Sequence, residues 1–215
     1  MNISGIFSSI QGEGPYAGYR QIFIRFSGCH LSCDYCDENT TEGKILTDEE
    51  ALKEVNNLNK SFHHSISLTG GEPLLQVDEI KKLIPKLPLP IYLETSATLP
   101  DYLKEIYKNI SIFSFDFKPG YEDEFIKCLS LVKDEDVFVK YIVLRETTAK
   151  EINDASKIIA SISQDIPLIL QPVTPHKKIK VRPLPTDLLA FEAIARRSLN
   201  DVRVIPQIHK ILGLP

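Results

Sequence analysis

Residues 28 to 37 read Gly28-Cys29-His30-Leu31-Ser32-Cys33-Asp34-Tyr35-Cys36-Asp37, and they place three of the four cysteines within eight residues, in the spacing C-x3-C-x2-C. Thiolates so close in sequence can bind one soft metal centre, either zinc or an iron–sulfur cluster. A structural zinc site normally has four ligands, often two C-x2-C pairs, and the second pair is missing here. The spacing favours an iron–sulfur cluster with one iron open to a small molecule; zinc or a disulfide is the alternative.

The remaining cysteine, Cys128, stands alone about a hundred residues later in a helical pattern. We expect it to be a small packed side chain and not a ligand. The chain has 215 residues, of which 43% are hydrophobic. This is enough for one sizeable core, so we expect residues 1–215 to form a single domain.

Charge and hydropathy narrow the class of protein further. The formal net charge is −4, and acidic and basic residues are interspersed without a long run of either sign. This argues against a dedicated nucleic-acid or membrane-surface binder. No apolar stretch reaches membrane length, and residues 1–4 begin no signal peptide. The expected location is the cytoplasm, where cysteines are more often metal ligands or catalytic groups than disulfides.

Strand and helix patterns alternate along most of the chain, which predicts parallel βαβ units. A glycine or polar group follows nearly every predicted strand, at the end where parallel α/β folds assemble their sites. These groups are Cys29, residues 69–71, residues 94–96, residues 116–118 and Gln171. Six or seven units are too few for the usual eight-stranded barrel. The predicted fold is therefore an incomplete, open (β/α) barrel with about six to seven parallel strands.

Three local sequence features concern a helix start, two histidines and a lysine within a strand. Thr47 is a plausible N-cap, and Glu50 three residues later completes a capping box. His63 and His64 precede a strand, and we expect both to be exposed loop residues. The strand pattern over residues 137–144 carries Lys140 in its middle.

The C-x3-C-x2-C loop, the Gly70-Gly71-Glu72-Pro73 sequence after the next core strand and the α/β alternation resemble the radical S-adenosylmethionine superfamily, over about residues 20 to 175. The resemblance implies that the three cysteines hold a 4Fe–4S cluster whose open iron binds S-adenosylmethionine. One electron then cleaves this cofactor to a 5′-deoxyadenosyl radical, which takes a hydrogen atom from the substrate.

Within the superfamily the chain more closely resembles the 7-carboxy-7-deazaguanine synthases. The matching segments are residues 9–14, 25–33, 35–37, 69–73, 94–95, 114–118, 171–172 and 206–210. The resemblance implies conversion of 6-carboxy-5,6,7,8-tetrahydropterin to 7-carboxy-7-deazaguanine with loss of ammonia, on the 7-deazapurine pathway to queuosine or archaeosine. It also implies a homodimer, Mg2+, and an electron donor such as flavodoxin or ferredoxin.

The resemblance also implies roles for individual residues. The substrate would be bound by Ile10, Gln11, Gly12, Glu13, Arg25, Thr69, His209 and the Pro215 carboxylate. S-adenosylmethionine would be bound by Tyr35, Cys36, Asp37, Gly71, Glu72, Ser96, Ser114, Phe115, Asp116, Lys118, Gln171, Pro172, Val173 and Thr174. The guanidinium of Arg25 has the fork geometry that suits a substrate carboxylate.

Glu38 stands where the family usually carries a Thr that contacts Mg2+. A carboxylate is a hard oxygen ligand suited to this ion, so we expect Glu38 to bind it. The alternative is that Glu38 points to solvent, as most glutamates do.

Two other functions remain open on the sequence. The first is a glycyl-radical-enzyme activase, which also uses S-adenosylmethionine but acts on a protein. The glycine-rich segment at residues 11–14 and the residues around His209 argue against it. The second is a zinc-stabilised binding module without catalysis.

Overall fold

Strands and helices alternate in the computed structural model, which describes residues 1–37, 42–176 and 178–215. The strands are β1 (Asn2–Ile10), β2 (Arg20–Phe26), β3 (Lys44–Ile45), β4 (Ser65–Gly70), β5 (Ile91–Thr95), β6 (Ile112–Asp116), β7 (Val137–Val143), β8 (Leu168–Pro172) and β9 (Val202–Val204). The helices are α1 (Asp48–Leu58), α2 (Val77–Leu83), α3 (Pro100–Ile106), α4 (Glu122–Val132), α5 (Ala149–Ile162), α6 (Pro185–Ala195) and α7 (Ile208–Leu212).

These strands form one sheet in the order β3-β1-β2-β4-β5-β6-β7-β8-β9. Every pairing from β2 to β9 is parallel, which gives seven parallel strands. Within the described residues the edge strands β3 and β9 do not pair with each other, so the sheet stays open. The predicted open α/β barrel with six to seven parallel strands is confirmed.

One edge of the sheet departs from the parallel pattern. Strand β1 pairs antiparallel with both β2 and β3. Only nine residues, 11–19, connect β1 to β2. A parallel crossover needs a dozen residues or more, so this connection permits only an antiparallel neighbour. It leaves residues 11–13 as a loop at the end of the barrel where the chain leaves β1.

The sheet separates two hydrophobic clusters. The larger cluster lies between the sheet and the helices and includes Ile24, Leu68, Phe115 and Val139. A smaller cluster, formed by Tyr92, Ile112, Phe138 and Ile169, lies on the opposite face of the strands, inside the barrel. It closes the lower part of the barrel interior and leaves the carboxyl ends of the strands for polar groups.

Local sequence signals set the starts of two helices. Thr47 accepts a hydrogen bond from the Glu50 amide at 3.1 Å, and Glu50 accepts one from the Thr47 amide at 2.8 Å, as the capping box predicts. Thr148 and Glu151 repeat the arrangement at α5. None of the helices in the described segments is long and apolar enough to cross a membrane.

The expectation that His63 is exposed is wrong. Its side chain is buried, with one ring nitrogen 2.9 Å from the Ser61 carbonyl oxygen and the other 2.9 Å from Ser8 Oγ. The carbonyl can only accept, so the ring donates there. His63 therefore fixes the start of β4 against β1. His64 is half-buried and lies against Tyr19, with 4.5 Å between ring centroids.

The end of β4 packs directly on the end of β2. Gly70 has φ +119°, and a Cβ there would lie 2.2 Å from the Phe26 carbonyl oxygen. A Cβ on Gly71 would lie 2.0 Å from the Gly28 carbonyl oxygen. The amides of Gly71 and Glu72 donate to the Phe26 and Gly28 carbonyls, each at 2.9 Å. Two glycines are required because two backbones approach within hydrogen-bonding distance.

Replacement of Gly70 tests this close approach. We expect Gly70→Ala to lower the free energy of unfolding by about 3 kcal/mol or more, because strain at positive φ adds to the clash with Phe26. Gly120→Ala is the matched control, since Gly120 has φ +92° but nothing within 4 Å of an added Cβ. It should cost about 1–2 kcal/mol. Equal losses in denaturant titrations of the two variants would contradict the proposed contact.

Candidate functional site

A cavity of about 190 Å3 lies at the carboxyl ends of the parallel strands. Its walls come from the loop after β1, the cysteine loop, the ends of β2 and β4 to β8, and the segment around α7. The lining residues are Ile10, Gln11, Gly12, Glu13, Phe23, Arg25, Cys29, Leu31, Cys33, Tyr35, Cys36, Asp37, Thr69, Gly70, Gly71, Glu94, Thr95, Ser96, Asp116, Lys118, Lys140, Ile142, Gln171, Val173, Thr174, His176, Gln207, His209 and Pro215.

Alternation along the strands explains which side chains reach this cavity. Successive residues of a strand point to opposite faces. Arg25, Thr69, Glu94, Asp116 and Lys140 therefore lie on the inner face of their strands, whereas neighbours such as Ile24, Leu68 and Val139 pack in the core on the helix side. Each of these five strands contributes one of these polar side chains, from the middle of β7 and from near the end of the other four.

The cysteine loop is held from two sides. On one side the amides of Gly71 and Glu72 bind backbone carbonyls at its start, as described above. On the other side, the His30 ring lies 2.8 Å from Thr98 Oγ1. Within the loop the Cys36 amide donates to the Cys33 carbonyl at 3.1 Å, which forms a turn. The three cysteine side chains are partly exposed and line the cavity.

The segment around α7 is fastened to the loop after β1. The Ile208 amide donates to the Gly12 carbonyl at 2.8 Å, and Gln207 Nε2 donates to Glu13 Oε1 at 2.8 Å. His209 packs so closely that a Cβ on Gly12 would lie 1.9 Å from its ring. Burial lowers the pKa of His209, although Glu13 opposes the shift. Gly12 thus allows this segment to close one side of the cavity.

Pro215 completes the same wall. Ser9 Oγ donates to the Pro215 oxygen at 3.2 Å, and the Leu214 amide donates to the His209 carbonyl at 2.9 Å. Gly213 ends α7 with φ +68°, the left-handed conformation that turns the chain back. These contacts bring residues 214–215 to the cavity.

A buried lysine lies between three carboxylates at the base of the cavity. The Lys140 side chain is 3% exposed. Its ammonium forms an ion pair with Glu13, lies 3.1 Å from Asp116 Oδ1 and lies 3.8 Å from Glu94 Oε2. Glu94 also accepts hydrogen bonds from Gln11 at 2.9 Å and Thr69 at 3.2 Å.

These charges shift one another's pKa values. Burial raises the pKa of Glu13, but the charge and hydrogen bond of Lys140 outweigh burial and lower that pKa to about 2. Burial also raises the pKa of Glu94, and Lys140 offsets this only in part. The pKa of Lys140 is reduced by burial but raised further by Asp116, Glu13 and Glu94, so it lies well above its ordinary value.

Lys118 lies beside the other oxygen of Asp116, next to Tyr35. Its ammonium donates to the Tyr35 hydroxyl at 3.1 Å and lies 3.4 Å from Asp116 Oδ2. Burial lowers the pKa of Lys118, but Asp116 and Tyr35 outweigh this and raise it. Asp116 therefore lies between two lysines, with Lys140 at Oδ1 and Lys118 at Oδ2.

Comparison with known proteins identifies the family. Residues 23–157 match the Radical SAM superfamily. The 7-carboxy-7-deazaguanine synthase of Geobacter sulfurreducens is 37% identical over 97% of this chain and 95% of that protein. The synthase of Methanothermobacter thermautotrophicus is 33% identical over 97% of this chain and 96% of that protein. The chain belongs to the 7-carboxy-7-deazaguanine synthase family of radical SAM proteins.

Solved structures agree on the fold of this radical SAM protein. The crystal structure of QueE from Escherichia coli matches 97% of this chain and 94% of that chain, with a TM-score of 0.63 and 20% identity. A radical SAM methyltransferase from Sphaerobacter thermophilus covers 94% of this chain and 77% of that chain, with a TM-score of 0.65 and 14% identity. At these identities the similarity establishes the fold alone.

The cysteine loop of this radical SAM protein fits an iron–sulfur cluster. Cys29, Cys33 and Cys36 are free thiols on one cavity wall. In the described part of the chain no three His, Cys, Asp or Glu side chains are grouped to hold a metal ion. The cysteine ligands of a four-iron cluster bind separate irons, so a cluster does not require the three thiols to converge on one ion. Cys128 is buried in α4, away from them.

Most predicted site residues meet in the cavity. All eight residues predicted for the substrate line it, as do the three cysteines. Of the residues predicted for S-adenosylmethionine, those that line it are Tyr35, Cys36, Asp37, Gly71, Ser96, Asp116, Lys118, Gln171, Val173 and Thr174. Gln171 Oε1 and His176 Nε2 are buried and lack a hydrogen-bond partner among the described residues. Such atoms fit a ligand that would complete their hydrogen bonds.

Four predicted cofactor residues do not line the cavity, namely Glu72, Ser114, Phe115 and Pro172. Phe115 faces the helices and packs against Phe125, because alternate strand residues point away from the interior. The Glu72 carboxylate instead accepts hydrogen bonds from Thr95 at 2.7 Å and Ser96 at 2.6 Å. Their role in binding remains a prediction that their side-chain positions do not support. Glu38, predicted to bind Mg2+, lies outside the described residues.

Sequence reasoning assigned no role in the site to two lining residues in particular, Lys140 and His176. Lys140 carried a readable signal, because a lysine within an apolar strand pattern must find buried partners. Glu94, one residue before the end of β5, lies in a strand end that the sequence did indicate. His176 lies in an irregular segment, where no periodicity indicates the direction of a side chain.

Cysteine replacement tests the cluster assignment. We expect Cys29→Ala, Cys33→Ala and Cys36→Ala each to abolish bound iron and sulfide after anaerobic reconstitution, because each removes one of three ligands. Cys128→Ala is the control, since this thiol is buried in the core. It should keep full iron and sulfide content and lose about 1 kcal/mol of stability. Equal cluster loss in Cys128→Ala would refute the assignment.

Proposed function

We propose that this protein converts 6-carboxy-5,6,7,8-tetrahydropterin to 7-carboxy-7-deazaguanine with loss of ammonia, in 7-deazapurine biosynthesis leading to queuosine or archaeosine. The observation that carries the proposal is the composition of the cavity. One wall holds the three cysteines, and the others hold all eight residues predicted for the substrate. The nearly full-length similarity to synthases of this name supports the same reaction.

Cys29, Cys33 and Cys36 would hold the 4Fe–4S cluster. When bound, the cluster and S-adenosylmethionine supply one-electron chemistry that starts hydrogen-atom abstraction from the substrate. The protein supplies orientation: backbone contacts from Gly71 and Glu72 fix the cysteine loop relative to β4. The cysteine loop is thereby held beside the end of β4, which carries Thr69, a residue predicted to bind the substrate.

Arg25 is the group best suited to the substrate carboxylate. Its guanidinium packs over the Phe7 ring, with 4.9 Å between its central carbon and the ring centroid. This contact restricts the side chain, so less entropy is lost when the planar fork binds a carboxylate. On the other side of the cavity, Glu13 and the Pro215 carboxylate would accept hydrogen bonds from the N–H groups of the pterin ring. Gln11 and Thr69, both bonded to Glu94, would orient the ring further.

The cofactor side of the cavity carries complementary groups. Tyr35 follows Cys33 by two residues, and Lys118 donates to its hydroxyl. The unpartnered atoms of Gln171 and His176 would hydrogen-bond to S-adenosylmethionine. Mg2+ remains part of the proposal, with Glu38 as its carboxylate ligand.

Partners and assembly complete the proposal. We infer that a flavodoxin or ferredoxin donates the electron, since the cysteines are partly exposed. A homodimer is supported by the exposed apolar side chains of Leu189, Ile211 and Leu212, and the mass of the holoenzyme by light scattering tests it. Residues 1–215 would act as one radical SAM domain, because one continuous sheet carries every wall of the cavity. A cytoplasmic location fits free thiols and an oxygen-sensitive cluster.

The decisive experiment is an anaerobic assay of the reconstituted protein. We expect S-adenosylmethionine, a strong reductant and 6-carboxy-5,6,7,8-tetrahydropterin to yield a deazapurine chromophore and ammonia. Activity should fall when a chelator removes Mg2+ after the cluster has been assembled. Zinc without sulfide would instead indicate the non-catalytic module. Cleavage of S-adenosylmethionine only with a protein partner would indicate a glycyl-radical-enzyme activase.

Two arginines on β2 offer a matched test of substrate binding. Arg25 lines the cavity, whereas Arg20 is exposed and donates to Ser8 Oγ at 3.1 Å. We expect Arg25→Gln to raise the KM for the pterin on the order of 10- to 100-fold, because a charged hydrogen bond to a carboxylate is lost. Arg20→Gln should leave KM within about twofold of wild type. A similar KM in the two variants would exclude the role of Arg25.

A further inference from the structure

The Lys140 ammonium makes contacts that the proposed reaction does not by itself require. An ammonium group has three N–H donors, and three carboxylates surround this one. Glu13 comes from the loop after β1, Glu94 from the end of β5 and Asp116 from the end of β6. A single group thus joins three separate segments of the cavity wall.

The position of Lys140 in the sheet fixes this arrangement. In the parallel register of β6 and β7, Lys140 lies beside Asp116, and Phe138 two residues earlier belongs to the apolar cluster below. Ile142 two residues later lines the cavity above. The aliphatic part of the Lys140 side chain therefore lies above the apolar cluster, and its ammonium contacts the carboxylates where their side chains enter the cavity.

The charges around Lys140 do not balance. Glu13, Glu94 and Asp116 carry three negative charges, while Lys140 and Lys118 carry two positive ones. Tyr92 and His209 are the other titratable groups nearby; the first influences Lys140 and the second influences Glu13. Without Lys140, the carboxylates of Glu13 and Glu94 would lie close together in a largely buried space with no cation between them.

We propose that Lys140 is a positioning residue for the pterin. Its ammonium holds the Glu13 and Glu94 carboxylates in place as hydrogen-bond acceptors for the substrate. It also links them to Asp116, which is predicted to bind S-adenosylmethionine. This inference rests on the proposed function, since it takes Glu13 as a substrate ligand. Gln207 donates to one Glu13 oxygen and Lys140 to the other, so the carboxylate plane is held from both sides.

Loss of the ammonium has a definite chemical consequence. A buried carboxylate without a cation takes up a proton at a higher pH. The protonated group then carries an O–H donor where the pterin N–H needs an acceptor. Substrate binding should therefore weaken, and it should weaken most at low pH.

Kinetics of Lys140→Met, Glu13→Gln and the double variant test this mechanism in the holoenzyme. We expect Lys140→Met to raise the KM for 6-carboxy-5,6,7,8-tetrahydropterin on the order of tenfold or more, with kcat changed less. The acid limb of kcat/KM should move to higher pH. In the double variant the rise should be much smaller than the product of the single rises, because Lys140 acts through Glu13.

Two controls separate positioning from general damage. Lys81→Met removes an exposed lysine of α2 that pairs with Glu105 at 2.7 Å, and it should leave KM and the pH profile unchanged. Lys140→Arg keeps the charge, so it should keep the wild-type acid limb even if its bulk raises KM. Wild-type KM and pH profile in Lys140→Met, or a shifted acid limb in Lys140→Arg, would overturn the proposal.

A measurement without substrate separates this inference from the proposed function. In wild type the lowered pKa of Glu13 stabilises the fold above its unfolded pKa, and this stability is lost only as pH falls toward about 2. In Lys140→Met the pKa values of Glu13 and Glu94 should both be raised. Of these two carboxylates, wild type has a raised pKa only at Glu94, so the unfolding temperature of Lys140→Met should increase more than that of wild type as pH is lowered from about 8 to about 5.

The outcomes of the two measurements are distinct. If wild-type holoenzyme neither binds nor converts the pterin, the proposed function fails. The unfolding profile still decides whether Lys140 fixes the ionisation of the carboxylates. If the profile of Lys140→Met parallels that of wild type, the proposed role of Lys140 is wrong even in an active synthase.

Discussion

The strict alternation of side chains along parallel strands is the constraint on which this structure depends. Each strand must bury apolar residues against the helices with one face, so only the other face is available for chemistry. An apolar cluster around Tyr92 and Phe138 fills the lower interior. The polar side chains that line the cavity therefore lie above this cluster, in the middle of β7 and near the ends of the other strands.

Contacts between backbones add the second requirement. The cysteine loop has no regular secondary structure, yet Gly70 and Gly71 bring the end of β4 within hydrogen-bonding distance of its first residues. The Glu72 carboxylate binds Thr95 and Ser96 and so links this junction to β5. Glu72 therefore stabilises the site by linking its segments, and Gly70 and Gly71 allow the ends of β2 and β4 to pack together.

The sequence was sufficient for the features that depend on local patterns. The spacing of Cys29, Cys33 and Cys36, the capping box at Thr47 and the alternation of strands and helices each have a local physical cause, and the structure contains the predicted elements. The direction in which a side chain points, and its contacts with residues far away in the sequence, were harder to predict. Phe115 was grouped with its neighbours Ser114 and Asp116 although it points to the helices. His63 precedes a strand, a position that predicts exposure, but it is buried against Ser8, 55 residues away in the sequence. The Lys140 cluster joins segments up to 127 residues apart, and no single window of sequence contains it.

The attachment of α7 to the loop after β1 also determines the order in which the parts of the cavity form during translation. The start of the cysteine loop is held by Gly71, Glu72 and Thr98, whereas its later residues Tyr35 and Asp37 are contacted by Lys118 and Lys210, each at 3.1 Å. Translation runs from the amino end, so the cysteine loop and its supports leave the ribosome long before Gln207 and His209. The pterin wall is therefore the last part of the cavity to be assembled, and a nascent chain can present its cysteines before it can enclose a substrate.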